Sequence, residues 1–279
     1  MKLLLSVLFL LSCSVAQTSP VIVGELEGQL GNQCFQIAAA LSLAWDHDAC
    51  SLFPDLAHKP SYGIPTNYRK VFWRLPVQEY GREPLFAFQE PHFHYSPLPY
   101  VPNMRLKGFF QSEKYFKKYR EKIVSLFAPS SEILDYLHTK YAAILEHPQT
   151  VSIHIRNYSS ESLDENIYPF HGGAYVQKAM TLFPKESLFV VFSNDMAWCK
   201  EHLQGLAKEM RFIEGETHYH DFYLMSLCKH HIITNSTFSW WAAYLNQNPQ
   251  KIVVAPLKWF NPGSGRDTKD LIPPEWIRL

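Results

Sequence analysis

Residues 149–279 alternate, segment by segment, between two hydrophobic periods, and few architectures tolerate that. TVSIHIRNY, SLFVVFSND, RFIEG, HIITN and KIVVAP are short β-branched or aromatic runs; GGAYVQKAMTLF, MAWCKEHLQGLAKEM, HDFYLMSLCKH and TFSWWAAYLNQN between them carry apolar residues at helical spacing. Strand and helix in alternation predict a parallel, doubly wound sheet, which takes its ligands at the carboxyl ends of the strands.

The first half is less regular. Val21-Ile22-Val23 reads as a strand, GELEGQLG as a glycine-bearing turn, and residues from about Asn32 to Trp45 as a helix with a buried face. Residues 51–102, rich in proline, histidine and aromatics, read as irregular chain with short strands. MRLKGFF predicts a strand ending near Gly108, followed by a basic amphipathic helix; SEILDYLHTKYAAIL predicts another helix. The expected fold is α/β, with two Rossmann-like lobes, 21–148 and 149–279, facing each other across a cleft.

The formal net charge of zero argues against a nucleic-acid partner, because no net basic field exists to recruit phosphate backbones. The 15% aromatic content suits contact with sugar rings, although a packed core explains aromatics equally well. At the amino terminus, Lys2, an apolar run from Leu3 to Leu11, and small Ser14 and Ala16 resemble a secretory signal cleaved after Ala16. The stretch Leu10-Leu11-Ser12-Cys13 also fits a lipoprotein box. The apolar run is shorter than the roughly 20 residues that cross a bilayer, so residues 1–16 are expected to be a signal peptide or short anchor. Export or membrane association through this leader is expected: the secretory pathway in a eukaryote, the membrane or envelope in a bacterium. The cysteines other than Cys13 (Cys34, Cys50, Cys199 and Cys228) lack scaffold spacing and are expected to be buried free thiols.

Three polar clusters sit at expected strand ends. His154 and Arg156 alternate on one strand and so share a face that reaches the cleft; Arg presents a planar, permanently charged fork suited to phosphate. A surface salt bridge and a core histidine are the plain alternative. In FSND, Ser193, Asn194 and Asp195 cap the next helix whatever else they do, and Asp221 has the same double reading. Asn235, Ser236 and Thr237, with Phe238 and Ser239 in the helical turn that follows, form a hydroxyl-rich strand-to-helix turn suited to pyrophosphate. For metals, His92 and His94, His218 and His220 with Asp221, and His230 and His231 offer donor atoms, but no His-Glu-x-x-His or cysteine pair organises them. Neither a P-loop nor a Gly-x-Ser-x-Gly elbow is present.

These motifs in this order resemble the α-1,2-fucosyltransferases. GQLGNQCFQIAAALSLA, GFFQSEKYF, SIHIRNY, HGGAYVQKAM, VFSND, LMSLCKHHIITNSTFSWWAAYLN and WIRL run nearly end to end in family order. The resemblance implies a GT-B architecture whose carboxyl-terminal lobe binds GDP-fucose and whose amino-terminal lobe faces the acceptor. It implies inverting, metal-independent transfer of L-fucose to the 2-hydroxyl of a terminal galactose on a glycan. Arg156 would stabilise the departing diphosphate; His154 and Asp221 would read the nucleotide. Asp195, Asn235, Ser236, Thr237, Phe238 and Ser239 would complete the donor site. Gly31, Asn32, Gln33 and Glu27 would border the fucose and acceptor, with Glu25 and Glu27 as candidate bases.

The chain departs from the family pattern His-x-Arg-Arg-x-Asp-Tyr: Asn157 stands where the second Arg is usual, and Ser159 where the Asp is. Gln29 replaces a glycine in the opening segment. A non-catalytic relative that binds glycan or nucleotide, or a transferase using another nucleotide sugar, are the competing expectations.

Overall fold

The computed structural model describes residues 19–76, 86–159 and 167–279. Residues 1–16, where a leader is expected, lie outside them. Among the described residues no helix is long and apolar enough to cross a membrane.

Two parallel sheets organise the chain. On the amino-terminal side come β1 (Val21–Gly24), α1 (Leu30–Asp46), β2 (Cys50–Leu52), α2 (Asp55–His58), α3 (Ile64–Lys70), β3 (Phe86–Gln89) and β4 (Met104–Lys107). Their strands form a four-stranded sheet in the order β2-β1-β4-β3. Helices α4 (Arg120–Leu126), α5 (Ser131–Lys140) and α6 (Ala142–Leu145) lead to the second sheet. There β5 (Thr150–Ile155), α7 (Gly173–Met180), β6 (Leu188–Ser193), α8 (Met196–Leu203), β7 (Glu209–Phe212), α9 (His218–Leu227), β8 (His230–Ile232), α10 (Thr237–Leu245), β9 (Val253–Ala255) and β10 (Ile277–Arg278) alternate. The strand order is β10-β9-β8-β5-β6-β7, again all parallel. This is the expected GT-B-like α/β architecture.

Several segments differ from the sequence expectation, for local reasons. Residues 51–102 hold two short helices, α2 and α3, that their irregular composition did not announce. The helix expected over 196–210 stops at Leu203 because Gly205 takes a left-handed φ of 87°, a usual way to end a helix. The helix expected over 131–145 breaks at Tyr141, whose hydroxyl donates to Glu216 at 2.7 Å. The basic segment before α4 winds as two short 3₁₀ turns around Phe116, which is buried. Cys34, Cys199 and Cys228 are buried free thiols, whereas Cys50 is disulfide-bonded.

One apolar core runs beneath both sheets. Its centre is an aromatic seam between α1 and α10: Phe35 packs on Trp240 and Trp241 with centroids 4.5 and 5.1 Å apart, and Phe116 stacks on Trp241 at 5.2 Å. Both tryptophans are fully buried, which explains why a polar turn is followed at once by two large apolar side chains. Above the seam the helix amino-termini meet backbone to backbone. A Cβ on Gly31 would lie 2.4 Å from the Thr237 carbonyl carbon and 2.5 Å from Phe238 N, so only glycine fits there.

Gly31→Ala is therefore expected to lower the unfolding free energy by about 1–3 kcal/mol in urea titrations, as overpacking does. Gly173→Ala, with nothing within 4 Å of its new methyl, should be neutral or slightly stabilising.

Candidate active site

A cavity of about 840 Å³ opens between the two sheets. The carboxyl ends of β5, β6 and β8 supply its floor: His154 and Arg156, Ser193 and Asn194, and Asn235 and Ser236. The amino-termini of α1 and α10 supply its centre. Neither helix is capped by a side chain: Gln29 and Ser236 hold the cap positions with extended backbones and make no side-chain cap bond. The first turns and the positive ends of two helix dipoles thus converge at one place, an arrangement that favours an anion.

Arg156 flanks this centre. Its peptide N–H donates to Thr234 Oγ1 at 3.1 Å, and its guanidinium donates to Gln29 Oε1 at 3.4 Å and lies over the Tyr158 ring. Tyr158 in turn donates to the Asn235 carbonyl at 2.7 Å. Asn32 spans the junction, its Oδ1 accepting from Thr237 Oγ1 and from Gln111 Nε2, each at 3.0 Å.

The two ends of the cavity differ. One end gathers Glu216, His218 and Asp221 from around the start of α9, opposite Tyr62, Gly63 and Asn67. The other is aromatic: Phe260 packs against Phe93 at 5.1 Å and Tyr168 at 5.5 Å, with the exposed Arg266 guanidinium over its ring at 5.0 Å.

Electrostatics assigns roles. Burial, reinforced by the Arg156 charge, pushes His154 down to about 3. At neutral pH it is an uncharged imidazole whose Nδ1 has no hydrogen-bond partner among the described residues. It is suited to hold a ligand by hydrogen bonding and unsuited to accept a proton from a reacting hydroxyl. Asp221 moves the other way. Burial, and then the neighbouring Glu216 charge, push it up to about 7, and its Oδ1 has no described partner. Glu216 stays below the ordinary carboxylate range. Burial alone would raise it, but hydrogen bonds from Lys140, Tyr141 and Tyr136 outweigh that.

The family model for glycosyl transferase family 11 matches residues 22–279. The chain belongs to glycosyl transferase family 11. An Escherichia coli relative, alpha-1,2-colitosyltransferase, is 28% identical, covering 93% of this chain and 99% of its own. The O-antigen biosynthesis glycosyltransferase WbnK of E. coli is 33% identical over 91% and 99%. The Oryctolagus cuniculus galactoside alpha-(1,2)-fucosyltransferase 2 is 28% identical over 78% of this chain and 65% of its own. Among solved structures, NodZ alpha-1,6-fucosyltransferase soaked with GDP-fucose shares the fold, with TM-score 0.55, 14% identity, and coverage of 81% and 92%.

In this family 11 chain, nine of the residues expected at the site border the cavity: Arg156, His154, Asp221, Asn235, Ser236, Thr237, Phe238, Gly31 and Asn32. Four do not. Asp195 caps α8, accepting from Trp198 N at 3.1 Å, and holds Asn157 Nδ2 at 2.8 Å. Ser239 turns back to the Ser236 carbonyl. Gln33 is buried behind the cavity, donating to the Gly28 and Tyr62 carbonyls. Glu27 bonds through its N–H to Gln36, and Glu25 pairs with Arg105 at 3.2 Å. Tyr62, Asn67, Glu216 and the Phe93–Phe260 wall were missed. Most sit in segments without periodicity, and His218 was noticed only as a metal candidate. The histidines are occupied elsewhere: His218 on Asn67, His220 on Glu216, His230 on Gln149, His231 between Ser152 and Asn246. Among the described residues no cluster of three metal-binding side chains forms.

Asn157, the position of the lost second Arg, does not border the cavity either. Its side chain ties the end of β5 to the cap of α8, and its backbone exchanges two bonds with the Asn194 amide. Asn157→Arg should therefore lower the thermal midpoint while leaving nucleotide affinity, read by calorimetry, within about threefold.

For Asp221, a raised carboxyl pKa means stability present at acid pH and lost as pH rises from the ordinary 3.8 to about 7. Asp221→Asn avoids that loss. Its unfolding free energy should exceed wild type by on the order of a few kcal/mol at pH 8 and match it near pH 3, in denaturant titrations of the unliganded protein.

Proposed function

We propose that the protein transfers L-fucose from GDP-fucose to the 2-hydroxyl of a terminal galactose on a glycan, with inversion and without a metal cofactor. The carrying observation is the convergence of Arg156 with two uncapped helix amino-termini in one cavity. The diphosphate lies there, His154 and Asp221 hold the nucleoside, and the acceptor approaches along the aromatic end. In a single displacement the acceptor oxygen attacks C1 of fucose, its hydroxyl proton passing to solvent water, as the bond from C1 to the diphosphate oxygen breaks. The electron pair leaves with GDP, and the new negative charge on the β-phosphate falls against preorganised donors. Membership of family 11 over residues 22–279 and the similarity to the Oryctolagus cuniculus galactoside alpha-(1,2)-fucosyltransferase 2 support this reading.

A second reading uses a colitosyl donor, favoured by the E. coli colitosyltransferase that aligns over nearly the whole chain. Colitose is fucose lacking one hydroxyl, so the same diphosphate site serves both.

The test is GDP release from GDP-fucose with and without a β-galactoside. Acceptor-dependent release is expected, with kcat/KM reduced about 10²–10³-fold by Arg156→Ala and unaffected by a chelator. A donor bound without turnover under any acceptor would sink the transferase reading. As an ionised Asp221 accepts from the base, donor affinity should fall as pH drops through about 7, by up to tenfold per unit; Asp221→Asn should flatten that dependence.

A further inference from the structure

Four non-glycine residues adopt positive φ: Asp48, Tyr62, Asn103 and Phe110. Asp and Asn tolerate that region; bulky aromatics do not. Phe110 is compensated by burial, being 1% exposed in the core. Tyr62 is not. With φ 58° and ψ 24°, it is 54% exposed, so packing does not account for its strain. Of the large apolar side chains left exposed among the described residues, it alone borders the cavity. Uncompensated backbone strain of this kind gathers at ligand clamps.

The strained turn is held by a relay of side-chain amides. The Tyr62 carbonyl accepts from Gln33 Nε2 at 3.2 Å, Gln33 Oε1 accepts from Asn67 Nδ2 at 2.8 Å, and His218 Nε2 meets Asn67 Oδ1 at 2.7 Å. Gln33 and Asn67 are buried, so these bonds are hard to give up. The relay crosses the cleft and ends on the first residue of α9, one turn before Asp221. It ties the Tyr62 backbone to Asn67 and His218 at the polar end of the cavity, and Lys59 Nζ lies 5.9 Å from the centroid of the Tyr62 ring.

We propose that the Tyr62 ring is a stacking platform, supplied by the four-stranded side, that covers the purine base of the nucleotide donor while Arg156 and the amino-termini of α1 and α10 hold the diphosphate. This rests on the reading of the cavity as a nucleotide-sugar site and adds the residue that closes it over the base. An aromatic face contributes to affinity for any flat base and most for a purine, whereas hydrogen bonds donated by the base to Asp221 select among purines.

The test is calorimetric titration of the full chain with GDP and UDP, alongside donor and acceptor KM values. Tyr62→Ala should weaken GDP binding about 5–100-fold, a stacking contact's worth. The donor KM should rise in step, with the acceptor KM unchanged, and Tyr62→Phe should restore affinity to within about threefold. Tyr62→Gly should lose affinity as the alanine variant does yet melt about 2 °C higher than wild type, because glycine accepts positive φ. A structural tyrosine would lower both quantities together. Unchanged GDP affinity in Tyr62→Ala and Tyr62→Gly overturns the proposal, as does a rise in acceptor KM alone, which would give the ring to the acceptor. Failure of wild type to bind GDP removes the donor reading itself, and this inference with it.

Discussion

The backbone contact between α1 and α10 at Gly31 is the constraint on which the site depends. It sets two helix amino-termini side by side, positive end against positive end, an arrangement that is electrostatically unfavourable in the unliganded protein. The aromatic seam below supplies the compensating burial, since Phe35, Trp240 and Trp241 each remove a large apolar surface from water. An anion between the helix ends turns that repulsion into shared attraction. Relief of that repulsion would form part of the free energy of binding an anion there, and through ordinary linkage would raise the stability of the folded chain.

The same logic extends to polar atoms left without partners. His154 Nδ1, Asp221 Oδ1 and Asn235 Oδ1 are buried without a described hydrogen-bond acceptor or donor, while the opposite edge of Asn235 is fixed by donation to the Pro169 and Trp259 carbonyls. Each costs free energy in the empty site. Their positions at the carboxyl ends of β5 and β8, and in the first turn of α9, concentrate that cost where a ligand can relieve it.

What could be read from sequence follows from what has a period. The alternation after residue 149 fixed the parallel sheet, and with it the placement of Arg156, His154 and the Asn235–Thr237 turn at strand ends. The opening glycine-bearing turn pointed to Gly31 and Asn32. Residues whose placement depends on a partner far along the chain could not be placed from sequence. Asp195 and Asn157 satisfy each other, so neither reaches the cavity, and Glu25 is taken by Arg105. Tyr62 and Asn67 lie where proline and aromatics obscure any periodicity. Their significance comes from a φ value and from bonds spanning 34 and 151 residues, which no local pattern encodes.

The shared seam bears on how the molecule folds and can be re-engineered. Trp240 and Trp241 belong to the six-stranded side but are covered by Phe35 and Phe116 of the other. Expressed alone, residues 149–279 would uncover the indole faces that Phe35 and Phe116 cover, and residues 21–148 the apolar face of α1. Exchanging halves between relatives therefore requires carrying the α1–α10 contact surface along with the graft.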